Sequence, residues 1–167
     1  MNLLLSSLLN MFIFIILAIS IPLTISEFTN SPVFIDSEFS SFFEEFKSDA
    51  KKYNTELNLR KMMTIFSDNV GTGIAAYCLP ATNTIVISSR VWQTLHTRGK
   101  KALLYHEWGH CALRRDHSYD NIGTCPTSLM YPTIDPMLLC YNNETEDYYN
   151  RELFINPHNY RKFYRRN

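Results

Sequence analysis

Hydrophobic positions change their rhythm several times along the chain, and each rhythm predicts a different element. From Leu3 to Ile25 they run with few breaks, and no Asp, Glu, Lys or Arg precedes Glu27. The run approaches the roughly 20 residues of a membrane-spanning helix, but Ser6, Ser7, Asn10, Ser20 and Pro22 interrupt it. A signal peptide over residues 1–26 is therefore expected, with an uncleaved N-terminal anchor as the alternative. Small residues at Ala18 and Ser20, or at Thr24 and Ser26, offer cleavage positions. Residues 27–167 then form a single exported domain, long enough for one core.

Within that domain the apolar period becomes helical. Phe39, Phe42, Phe43, Phe46, Ala50 and Tyr53 recur at three- and four-residue steps, so a helix is predicted from Asp36 or Ser37, either of which can cap it, to about residue 53. This aromatic stripe is a core face. Residues 61–66, 74–79 and 84–88 read as short strands separated by turn signals at Asp68-Asn69, Gly71-Thr72-Gly73 and Pro80 to Asn83. The last two strands are expected to pair as neighbours. Residues 99–113 read as a second helix, residues 114–136 as a loop, and residues 146–154 as a closing helix extending toward Phe163. The fold class expected from this order is α+β.

Composition narrows the function. Sixteen Lys+Arg balance sixteen Asp+Glu, so there is no positive surplus to release counterions from a nucleic acid, and no nucleic-acid partner is expected. Arg161, Lys162, Arg165 and Arg166, interleaved with aromatic residues, read as a solvated end, as do His96 and His158 as surface residues. The sequon Asn143-Glu144-Thr145 matters only where a host glycosylates exported proteins. Cys78, Cys111, Cys125 and Cys140 all lie in the exported part and allow three full pairings. Joining Cys125 to Cys140 closes a loop of about 15 residues, worth roughly 3 kcal/mol; Cys78 with Cys111 is the expected second pair. No CxxC spacing suggests a cysteine zinc site.

Chemistry concentrates in His106-Glu107-Trp108-Gly109-His110. On a helix, His106 and His110 project from one face and can share a tetrahedral Zn²⁺. Glu107 lies one step round, placed to act on a water as general base and then to protonate a leaving amine. Asp116 and His117 follow in a segment that must leave the helix, and either can supply a third ligand. Further on, Ser128-Leu129-Met130-Tyr131-Pro132 reads as a tight turn in which Met130 can form a floor beneath the imidazoles.

Together, HEWGHCALRRDH and SLMYP resemble the metzincin clan of zinc metallopeptidases, the turn looking most like that of the matrixins and the whole most like their small secreted bacterial type. The likeness covers residues 74–130 and the closing helix. It implies a metzincin-like zincin: a small twisted mixed sheet, an N-terminal helix, an active-site helix, a Met-turn at Met130 and a C-terminal helix. It implies one catalytic Zn²⁺ on His106, His110 and a third residue, with Glu107 as general base. It further implies that residues 74–79 form the edge strand along which an extended peptide pairs. Departures are specific. Where the clan places a turn-making glycine stands Leu113, and its third-ligand place falls on Asp116. One inserted residue accounts for both, bringing His117 to the metal and leaving Asp116 to orient a histidine; Asp116 as ligand is the alternative. Tyr131, one place before the clan's occasional tyrosine ligand, is expected to be structural. No cysteine-switch propeptide or calcium-site signature is present.

The expected function is that of a secreted, monomeric zinc endopeptidase acting on peptide or protein. Two alternatives keep the metal: a non-catalytic peptide-binding module, and a hydrolase of another amide such as cell-wall peptide. A membrane partner is expected only if the N-terminal segment stays attached.

Overall fold

The computed structural model describes residues 32–155. The expected signal peptide or anchor at residues 1–26, the basic tail and His158 lie outside the described residues. Among the described residues no helix is long and apolar enough to cross a membrane.

Strand β1 (Phe34–Ile35) leads through a 3₁₀ turn at Ser37–Phe39 into helix α1 (Ser40–Lys52). The Asp36 carboxylate caps that turn by accepting from the Glu38 amide at 3.1 Å. Strands β2 (Met63–Ser67), β3 (Ala76–Leu79) and β4 (Thr84–Ser88) follow, then helices α2 (Ser89–Thr94) and α3 (Thr97–Cys111). A two-strand hairpin, β5 (Asn121–Ile122) and β6 (Cys125–Pro126), precedes α4 (Asp135–Cys140) and α5 (Glu146–Ile155). The main sheet is mixed, in order β1-β2-β4-β3. β1, β2 and β4 run parallel, whereas β3 pairs antiparallel with β4, with Tyr77 opposite Val86 and Cys78 opposite Ile85. Among the described residues β3 therefore ends the sheet with one side unpaired.

The α+β reading and the neighbouring pair of strands hold, with boundaries moved for local reasons. Lys61 takes a left-handed φ of 55°, which no strand tolerates, so β2 begins two residues later than expected. Gly73 at φ 78° and the bond from the Ile74 amide to the Gly71 carbonyl (3.1 Å) extend the turn and delay β3 to Ala76. α3 starts early because the His96 ring accepts from the Gly99 amide at 3.3 Å, so this surface histidine is also a helix cap. The segment at 114–136, expected to be loop, contains the β5–β6 hairpin and the start of α4. β1, α2 and α4 were not anticipated: each is under two turns or three residues, too short for a period to register.

The aromatic stripe of α1 makes the core. Phe43 and Phe46 pack on Trp108 with ring centroids 5.3 and 5.2 Å apart, and Phe46 also meets Tyr105 and Phe154 at 5.1 and 5.0 Å. α3 is thus clamped between α1 and α5, and Leu104, Tyr105 and Trp108 are fully buried. Both expected disulfides are present. Cys125–Cys140 ties the hairpin to α4, and Cys78–Cys111 ties the edge strand to the last turn of α3, as suits a protein exposed to an oxidising compartment.

Candidate metal centre

Residues four apart on α3 bring His106 and His110 side by side, their Nε2 atoms 3.1 Å apart. After Cys111 the chain turns sharply at Arg114, whose φ of 55° takes the left-handed conformation that a glycine would adopt more cheaply. The turn lies one residue beyond Leu113, and the third histidine one residue beyond Asp116. It carries His117 back to the pair, with its Nε2 3.1 Å from that of His110. The ligand atoms of His106, His110 and His117 all lie within 4.8 Å of one another. Bonds of about 2.0–2.1 Å to a tetrahedral zinc would separate nitrogens by about 3.3 Å, so the spacing suits a metal ion. Asp116 lines the same cleft beside His117 and is outside the converging trio.

The hydrogen bonds on the far side of each ring decide what the near side offers. His106 Nδ1 lies 2.7 Å from the Leu129 carbonyl and His110 Nδ1 2.6 Å from the Arg115 carbonyl. A carbonyl only accepts, so both Nδ1 atoms carry the hydrogen and both Nε2 atoms present bare lone pairs to each other. Two lone pairs at 3.1 Å repel unless a cation lies between them. A proton is a poor candidate at neutral pH, because burial pushes His106 down to about 3 and His110 down to about 4. Burial also lowers His117, with the Asp116 charge opposing it. Three neutral imidazoles aimed at one point form a donor set suited to a divalent metal.

Glu107 is 4% exposed. Its Oε2 has no hydrogen-bond partner among the described residues. Desolvation pushes its pKa up to about 8, against a hydrogen bond from the Cys78 backbone. Glu107, His106 and Ala76 line both of two adjoining clefts. One, of about 440 Å³, runs past Ala76, Tyr77, Asn58 and Arg114; the other, of about 290 Å³, lies among Ile74, Leu103, Tyr131 and Met137.

Met130 is fully buried, and its sulfur sits so close to Gly109 that a Cβ there would stand 2.5 Å from it. Glycine at 109 thus lets the turn press against α3 beneath the histidines. The turn itself is closed by the Met130 amide donating to Ser128 Oγ at 3.0 Å and the Tyr131 amide to the Ser128 carbonyl at 3.2 Å. Tyr131 is half-buried beside the smaller cleft.

Sequence reasoning missed the Leu129 and Arg115 carbonyls and the Cys78 backbone, which act through main-chain atoms and leave no residue signature. Gly109 was readable, since a glycine inside a helix signals a close approach. Compared with protein-family models, characterised proteins and solved structures, the chain matches none.

Proposed function

We propose that the chain is a secreted zinc-dependent endopeptidase of metzincin type, holding one Zn²⁺ on His106, His110 and His117, with Glu107 as its general base. The observation that carries this reading is the meeting of bare Nε2 lone pairs beside a buried carboxylate oxygen that has no partner among the described residues. Zinc held by three imidazoles supplies Lewis acidity, polarising a carbonyl and acidifying water.

The remaining chemistry belongs to the chain. Glu107, held ionised by a bound dication against the burial that otherwise raises its pKa, takes a proton at Oε2 from the attacking water and then passes it to the departing amine. Peptide and water become carboxylate and amine, and Glu107 ends ionised as it began. The unpaired side of β3 offers main-chain donors and acceptors to an extended substrate, so the peptide aligns as a further strand. Its side chains then reach the clefts flanking His106 and Glu107. Leu129 and Arg115 hold the histidines by their carbonyls, keeping the Nε2 atoms neutral and aimed.

An edge strand beside the centre favours peptide over other amides, and a buried carboxylate oxygen with no partner among the described residues has no use in a module that only binds. The test is cleavage of a peptide library and of cell-wall peptide by metal-free protein, with and without added zinc. Zinc-dependent cuts within the library are expected; cleavage of wall peptide alone would replace the substrate class, and no cleavage of either would remove the activity.

A further inference from the structure

The three histidines depend on two loop segments, 115–118 and 128–130, that are far apart in sequence from α5. A single carboxylate on α5 joins them. Glu152 Oε1 pairs with Arg115 Nη2 at 2.6 Å, and Glu152 Oε2 accepts from Ser128 Oγ at 2.5 Å. Arg115 Nη1 also donates to the Glu152 and Leu153 carbonyls at 2.8 and 2.9 Å.

Each bond ends on a segment that holds a histidine. The Arg115 carbonyl grips His110 Nδ1. Ser128, with its hydroxyl fixed by Glu152, accepts from the Met130 amide and so shapes the turn whose Leu129 carbonyl grips His106 Nδ1. His117 is anchored on both sides, by Arg115 two residues before it and by the Ser118 amide, which donates to the Met130 carbonyl at 2.9 Å. The Arg115 side chain is only 3% exposed and that of Glu152 15%, so a lost partner is not replaced by water at low cost.

We infer that Glu152 is a positioning residue, setting the mutual geometry of His106, His110 and His117 through Arg115 and Ser128 without touching any of them. This rests on the proposal that the trio holds a metal. Neutralising Glu152 leaves a buried guanidinium short of its counter-charge and the Ser128 hydroxyl without its acceptor, so both gripping carbonyls shift. The cost then appears in how the site holds its ion as well as in how the chain folds.

Co²⁺ binding to the metal-free full chain tests this by competition with a chromophoric chelator and by the visible absorption of the loaded protein. Glu152→Gln is expected to weaken Co²⁺ binding by roughly 10- to 100-fold and to change the absorption envelope. Tyr149→Phe on the same helix removes a buried hydrogen bond to the Pro126 carbonyl (2.7 Å). It is expected to lower the melting temperature while leaving affinity and spectrum as in the wild type. Should Glu152→Gln fail to fold, Ser128→Ala carries the same test, with a smaller loss of affinity expected. Wild-type affinity and spectrum in the folded Glu152 or Ser128 variant would overturn the inference while leaving the metal site standing. Absence of Co²⁺ binding by the wild-type chain would overturn both.

Discussion

Helix α3 buries polar groups on two opposite faces, and the two are treated differently. On the face of Lys101 and Tyr105, all the chemistry is closed. Lys101 Nζ lies between Glu45 (2.6 Å) and Glu146, Tyr105 donates to Asp49 Oδ2 at 3.0 Å, and Asn150 donates to the same oxygen at 3.0 Å. Tyr141 completes the set by donating to Asn150 Oδ1 at 3.1 Å. This cluster fastens α3 to α1 and α5. On the other face His106 and His110 are half-buried and the adjoining Glu107 is buried, yet two Nε2 lone pairs oppose each other and Glu107 Oε2 has no partner among the described residues. A buried polar group costs free energy unless satisfied. Satisfied burial on one face fixes the scaffold, and the unsatisfied groups on the other are what the proposed metal centre rests on.

The comparison is sharpened most by removing a ligand. His117→Ala is expected to cost most of the zinc affinity, since two imidazoles leave two open positions, whereas Asp116→Ala should weaken binding by roughly 10- to 100-fold. Chelator competition measures both. Loss of binding in the Asp116 variant with retention in the His117 variant would reverse the assignment.

The closed face should respond in the opposite currency. Asp49→Asn disturbs the acceptor shared by Tyr105 and Asn150 and should lower unfolding free energy by about 1–3 kcal/mol. Zinc affinity should be unchanged. A parallel fall in affinity would mean that the two faces are not independent.

The two faces also part in the pH dependence of the metal-free protein. His106 and His110 are held down at about 3 and 4 from 6.5; their contribution is present above pH 6.5 and lost as pH falls toward those values. Glu107 is held up at about 8 from 4.5; its contribution is complete below pH 4.5 and lost as pH rises to 8. Glu107→Gln should therefore abolish the second trend and keep the first. Its stability advantage over the wild type should grow between pH 4.5 and 8, as denaturant titrations at several pH values would show. An advantage that is flat across that window would place Glu107 in water.

Much of the site was legible because side chains at fixed spacing carry it. His106, Glu107 and His110 follow from their helical spacing, and His117 from the resemblance to the metzincins, whose turn-making glycine is replaced here by Leu113. The turn at Arg114 could be anticipated in need but not in place, since any residue can be forced to a left-handed φ when its surroundings hold it there. The aromatic stripe of α1 gave the core, while β1, α2 and α4 are defined by pairing and capping with distant residues. Glu152 carries no local signature on the closing helix. Its partners Arg115 and Ser128 lie 37 and 24 residues away, a distance that no local pattern encodes.

Zinc content and peptide hydrolysis, measured on the same preparations of wild type and Glu107→Gln, test the division of labour at the centre most directly. One zinc per chain is expected in both, with turnover in the variant reduced by roughly 10²- to 10⁴-fold, as when a general base is lost and the ion stays. Zinc lost together with activity would make Glu107 a ligand, and equal turnover in the two proteins would contradict its role as the base.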